Sequence, residues 1–179
     1  LNRRNRQRGR PLVEPIYTRR DAERCLEQAR PVAYDTWLEP GPGVRVRYWN
    51  AAHILGSASL EVEVVDQERP LRLLFSGDIG PDETTFHEEP AGPSDVDMLL
   101  VESTYGDRDR EDLTVEQRRS RLGKEIREAL AAGGNLLIPA FAVERSQELM
   151  ATILDLMRKG EVPGTKVFLD SPVAVGATE

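Results

Sequence analysis

Cysteine is nearly absent. Cys25 is the only one in 179 residues, so no internal disulfide and no thiolate zinc cluster can form, a usage that fits a reducing, cytoplasmic compartment. Histidine is almost as scarce, represented by His53 and His87 alone; a hydrolytic site with two metal ions needs several imidazoles, and two cannot supply them. Long apolar runs are missing as well. The longest stretch without charge, Ala129–Val143, is broken by Gly133, Gly134 and Pro139 and is shorter than the roughly 20 residues a membrane span requires. This excludes a transmembrane helix. The chain opens on Arg-rich polar sequence, without the apolar core or cleavage site of a secretion signal.

What is present is the composition of a folded globular protein, 39% hydrophobic and 31% charged. The net charge of −7 argues at first against a nucleic-acid partner, but it is unevenly spread. Residues 1–30 hold nine arginines against four acids, a net +5, which leaves −12 for the remainder. The cluster Arg3, Arg4, Arg6, Arg8 and Arg10 reads equally as a phosphate-neutralising arm or as a solvated surface loop. Cys25 reads as a small hydrophobe on a helix.

Along the chain, Thr18 with Asp21 signals a helix N-cap leading to about Arg30, with Ala22, Cys25, Leu26 and Ala29 on one side. Gly41-Pro42-Gly43 marks a turn. Three strands follow, over residues 44–49, 60–64 and 71–75, as an antiparallel meander. Residues 78–95, rich in Pro, Gly, Asp and Glu, form a long loop of the kind that is more often functional than accidental. Residues 98–101 are a short apolar strand. Thr114 with Gln117 is a capping box opening a helix that Gly133-Gly134 stops. Residues 136–138 and 167–169 read as buried strands around a second helix, 143–159, and Ser171-Pro172 as a further helix start. This βαβ alternation implies a parallel sheet covered by helices.

Three polar residues stand just past strand ends. His53, among the small residues Ala51, Ala52, Gly56 and Ser57, suits a borderline metal such as zinc, although a lone histidine also serves structure. Asp78 follows 71–75 directly; a carboxylate there must be paired, hydrogen-bonded or metal-bound, or else caps an Asx-turn. Glu102 repeats the geometry after 98–101, with Ser103 and Thr104 behind it as candidate substrate contacts. Arg145 lies near a helix N-terminus, where phosphate is favoured, or is an ordinary surface arginine. His87 sits in the long loop and reads as exposed.

Taken together, Asn-Ala-Ala-His-Ile-Leu-Gly-Ser at 50–57, Phe-Ser-Gly-Asp-Ile-Gly at 75–80, Val-Glu-Ser-Thr-Tyr-Gly-Asp at 101–107 and Gly-Gly-Asn-Leu-Leu-Ile-Pro-Ala-Phe-Ala-Val-Glu-Arg-Ser-Gln-Glu-Leu at 133–149 resemble successive blocks of the β-CASP metallo-β-lactamase ribonucleases. The blocks occur in family order, and jointly they are specific. The resemblance implies an α/β chain in which residues 1–105 are part of a metallo-β-lactamase αββα sandwich and residues 106–179 begin a β-CASP cap domain with a parallel sheet. It implies that His53 and Asp78 are metal ligands, with Asp78 bridging two zinc ions, and that Glu102 assists proton transfer near the scissile phosphate. The implied activity is zinc-dependent hydrolysis of RNA phosphodiesters, as endonuclease, 5′-to-3′ exonuclease or both.

The family's His-x-His-x-Asp-His block, a further aspartate and two later histidines are absent from these residues. The sequence is therefore expected to be an internal piece holding an incomplete metal site and lacking activity by itself. Ala52 stands where the family commonly has glycine, a change expected to be tolerated. A small-molecule metallo-hydrolase, a non-catalytic scaffold of the same fold and a DNA-directed relative are the alternatives. Nothing in the residues separates RNA from DNA or a homodimer from a monomer.

Overall fold

The computed structural model describes residues 2–65, 69–81, 85–86, 88–107, 109 and 113–179; His87 lies outside them. The chain forms two compact units, Leu1–Ala33 and Tyr34–Glu179. In the first, α1 (Asn2–Gln7) is a short helix with no buried residue. Its start is tied to the following segment by the Asn2 side chain, which donates to the Val13 carbonyl at 2.8 Å and accepts from the Val13 amide at 2.9 Å. The arginines at 3, 4, 6, 8 and 10 are all exposed. Helix α2 (Arg19–Leu26) opens on the expected capping box of Thr18 and Asp21 but ends at Glu27, short of Arg30. Cys25 and Leu26 are exposed rather than packed, because every residue of this helix faces solvent within its unit.

The second unit is built on a five-stranded mixed sheet of order β1-β2-β3-β4-β5. Its strands are β1 (Leu38–Gly41), β2 (Val44–Asn50), β3 (Ala58–Val64), β4 (Leu71–Phe75) and β5 (Met98–Leu100). The meander over β2, β3 and β4 is antiparallel as expected, and β5 lies parallel to β4. Strand β1 goes unannounced by the sequence, because Pro40 argues against a ladder. Proline is accommodated here since β1 is an edge strand whose register shifts between Leu38 and Gly41.

Register divides the sheet into two chemically distinct faces. Val44 faces Val64, Val46 faces Val62 and Tyr48 faces Leu60; Leu60, Val62 and Val64 in turn face Phe75, Leu73 and Leu71. Leu73 and Phe75 pair with Met98 and Leu100, so one face is continuously apolar. It is open: Leu71, Phe75, Met98 and Leu100 are all exposed. The opposite face carries an ion-pair lattice around Glu61, whose side chain is 0% exposed. Glu61 accepts from Trp49 Nε1 at 2.8 Å, Arg47 Nε at 3.0 Å and Arg72 Nε at 3.1 Å. Arg47 is stacked between the rings of Trp37 and Trp49, 4.5 and 4.4 Å from their centroids. Burial alone would raise the Glu61 carboxyl, but the hydrogen bonds from Arg72, Trp49 and Arg47 outweigh it and hold the group ionised, below its ordinary range.

Beyond the sheet come α3 (Val115–Ala131), α4 (Arg145–Arg158) and α5 (Pro172–Gly176). The expected Thr114–Gln117 capping box and the Ser171 cap with Pro172 are both formed. Gly133 and Gly160 take positive φ, 69° and 70°, where α3 and α4 stop. Ile126, Ile153, Leu156 and Val162 form the core between α3 and α4, with Leu122, Ile138 and Met157 packed against it.

Two expectations fail. Residues 136–138 and 167–169 form no strand, so the parallel sheet read from the βαβ pattern is not formed by them. Leu137 and Phe168 are 90% and 83% exposed instead of buried. An apolar run becomes a strand only when a neighbour takes up its backbone groups, and here neither run is laddered to another. Among the described residues no helix is long and apolar enough to cross a membrane.

Candidate functional site: one edge of the sheet

Strand sense decides where side chains are delivered. Strands β2 and β4 both run antiparallel to β3, and β5 runs parallel to β4, so β2, β4 and β5 all end at the same edge. His53 follows the end of β2, Asp78 the end of β4 and Glu102 the end of β5. Had β5 continued the antiparallel meander, Glu102 would stand at the far edge.

Close backbone approach then brings the three together. The Gly80 amide donates to the Ala51 carbonyl at 2.8 Å, so tightly that a Cβ at position 80 would sit 1.7 Å from the Ala52 carbonyl oxygen. Gly77, at φ 59°, lies so near Ala58 that its own Cβ would come 2.9 Å from that carbonyl oxygen. Ala52 itself has φ 53°, the left-handed region that favours glycine, and its side chain is fully buried. As a result His53 Nε2 lies 3.9 Å from Asp78 Oδ2, with both side chains open to solvent.

Glu102 is fixed by its neighbours. Its own amide donates to Ser76 Oγ at 2.9 Å, while its carboxylate accepts from the amides of Ile79 at 2.9 Å and Thr104 at 3.1 Å. The Thr104 hydroxyl, followed by the Ile79 and Thr104 amides, holds the carboxyl at about 2, below its ordinary 4.5. Glu102 is therefore an acceptor at neutral pH and orients donors. It also ties the Asp78–Ile79 turn to β5. Ser76, buried, completes the joint: its hydroxyl donates to the Gly77 carbonyl at 2.7 Å and its carbonyl accepts from Ser59 Oγ at 2.7 Å.

Of the remaining candidates, Ser103 and Thr104 lie exposed in the turn directly behind Glu102. Arg145 opens α4, but its guanidinium pairs with Glu148 and lines a groove of about 300 Å³ with Arg118, Arg119 and Thr152. It is not part of the His53–Asp78–Glu102 cluster. Sequence reasoning passed over Ser76, Ser57 and Glu144. Ser57 Oγ accepts from the amides of His53 and Ile54 at 2.9 and 3.1 Å, and Glu144 Oε2 accepts from the Leu55 amide at 2.6 Å; neither contact leaves a periodic signal.

An imidazole and a carboxylate in this relation suit a borderline metal. Two ligands of one tetrahedral zinc ion stand about 3.4 Å apart, against the 3.9 Å between His53 Nε2 and Asp78 Oδ2. Among the described residues no group of three His, Cys, Asp or Glu side chains could hold a metal ion. His53 and Asp78 by themselves could supply two ligands of such an ion.

No protein-family model matches the chain. Among curated proteins it is 35% identical over 165 residues to Ribonuclease TTHA0252 of Thermus thermophilus, covering 91% of this chain and 36% of that protein. It is 32% identical over 161 residues to Transcription termination factor FttA of Cenarchaeum symbiosum, covering 89% and 25%. With Endoribonuclease YSH1 of Eremothecium gossypii it shares 33% over 145 residues, covering 79% and 18%. The chain spans about a third or less of the length of these relatives.

Proposed function

The chain belongs to the β-CASP family of ribonucleases, and on that premise we propose that the protein carrying it hydrolyses RNA phosphodiesters at a site assembled partly from His53, Asp78 and Glu102. The observation that carries the proposal is the delivery of these three residues to one sheet edge, with His53 Nε2 and Asp78 Oδ2 3.9 Å apart. Zinc, when bound, supplies Lewis acidity that activates water near neutral pH and offsets phosphate charge. His53 would hold zinc through its imidazole nitrogen, and Asp78, with an exposed carboxylate 3.9 Å away, would hold it beside His53. The other ligands come from outside these residues, and the isolated chain is inactive. Ionised Glu102 does not itself give up a proton; it orients the donor that protonates the leaving oxygen. Ser103, Thr104 and Arg145 contact the RNA, and cleavage is endonucleolytic, 5′-to-3′ exonucleolytic or both.

The open apolar face of the sheet fits one half of an αββα sandwich, so residues 1–105 are assigned to the metallo-β-lactamase domain and residues 106–179, with their change to helices, to the start of the β-CASP cap. A cytoplasmic setting matches the single cysteine.

In the whole protein, His53→Ala and Asp78→Asn are expected to lower zinc content and to cut RNA cleavage by more than ~100-fold, since even residues behind a ligand are worth roughly 10–100-fold. Cleavage that survives both substitutions, or that persists in chelator, would overturn the assignment. Replacing ribose by deoxyribose at the scissile position tests the choice of RNA.

A further inference from the structure

The head of α4 is strained and reaches back to the site. Glu144 has φ 67° and ψ −57°, and the Arg145 amide donates to the Val143 carbonyl at 2.9 Å. Together these make a three-residue γ-turn of the positive-φ kind, uncommon and unfavourable for a residue with a Cβ. Glycine would occupy it without penalty. Glu144 makes no side-chain cap to its own helix. Its carboxylate instead accepts from the Leu55 amide at 2.6 Å, across 89 residues of sequence, a short, charge-assisted bond.

The recipient is the turn that displays His53. Within that turn Ser57 serves the amides of His53 and Ile54, the Ser57 amide donates to the Ile54 carbonyl at 2.9 Å, and Tyr34 Oη donates to the Ser57 carbonyl at 2.9 Å. Leu55, at the exposed tip, is the amide of this turn that Glu144 takes up. One helical turn further on, Glu148 Oε1 accepts from Thr85 Oγ1 at 2.9 Å, so the start of α4 grips the connection after Asp78 as well. A strained backbone whose side chain is spent on a distant loop points to a task in the site rather than in the helix.

We propose that Glu144 is a positioning residue: it fixes the 53–57 turn from the helical region, so that the imidazole of His53 is held in the pose facing Asp78. The functional half of this statement rests on the nuclease reading above; the contact itself does not. Binding at the helical region and ligand geometry at the sheet edge are then mechanically joined, because displacing the head of α4 releases the His53 turn.

The test compares Glu144→Gly, Glu144→Ala and Glu144→Gln in the whole protein. Glu144→Gly removes the carboxylate while suiting the backbone, so its Tm is expected to equal or exceed that of the wild type. Hydrogen exchange at the Leu55 amide should nevertheless quicken by roughly tenfold or more in the Gly and Ala variants, and remain largely protected in Glu144→Gln, which keeps an acceptor oxygen. Zinc content and kcat on an RNA oligonucleotide should fall in the Gly variant with KM little changed, and recover in the Gln variant. Unchanged Leu55 exchange in Glu144→Gly would overturn the contact. Quickened exchange with full zinc content and kcat would overturn the positioning role. If the wild type neither binds zinc nor cleaves RNA, the nuclease reading and the positioning role fall together, while the exchange result still decides the contact.

Discussion

Position 80 is where a single hydrogen atom decides the geometry of the site. With a Cβ there predicted to meet the Ala52 carbonyl oxygen at 1.7 Å, and backbone on both sides, no rotamer can relieve the overlap. Gly80→Ala is expected to destabilise the protein by about 3 kcal/mol, the upper part of the range for overpacking, and to separate His53 from Asp78; denaturant titration and zinc content check the two effects. The placement of His53, Asp78 and Glu102 was legible in the sequence because each stands just past the end of a strand. Glu144 was not legible, since the partner that gives it meaning lies 89 residues away and the positive φ that exposes its strain has no counterpart in composition.

At the level of elements, helices announced themselves through local chemistry: the capping boxes at Thr18 and Thr114 and the Ser171 cap are formed as read. Strands depend on partners. Residues 71–75 and 136–138 are both apolar, yet only the first lies between neighbours that accept its hydrogen bonds. The parallel sense of β5, on which the placement of Glu102 depends, was hinted at only by the long 76–97 connection, which a parallel pairing requires.

Helices α3 and α4 are held together by more than their apolar core. Arg119 joins Asp155 at 3.0 Å and Glu161 at 2.6 Å. Lys159 and Arg119 lower the Asp155 carboxyl below its ordinary 3.8, and Arg119 lowers that of Glu161 below 4.5. Carboxyls depressed by folding add stability that is complete above their unfolded values and is lost as pH falls through the folded ones. The Tm advantage of the wild type over Arg119→Met should thus be constant from neutral pH down to about 5 and shrink below about 4. An advantage independent of pH would show that Arg119 acts by packing its stem alone.

Across the molecule, the sheet sets an apolar face against an ionic one, and the ionic one is the less forgiving. Removing one partner of a buried ion pair leaves the other charge unmatched, at a cost of about 3–5 kcal/mol. Glu61→Ala takes the shared carboxylate from Arg47 and Arg72, but Arg47 keeps Asp35 and Arg72 keeps the carbonyls of Ser94 and Asp95, so the loss by chemical denaturation should lie near the low end, about 3 kcal/mol. A loss under 1 kcal/mol would mean that the lattice is dispensable. The same sheet has one rim that gathers His53, Asp78 and Glu102 and another that does not. Since β2, β4 and β5 finish at the rim that carries His53, Asp78 and Glu102, the hairpin at Pro42 and Gly43 turns at the other end, exposed and with open space around Gly43. A fluorophore or affinity handle attached there would sit a full strand length away from the His53, Asp78 and Glu102 side chains.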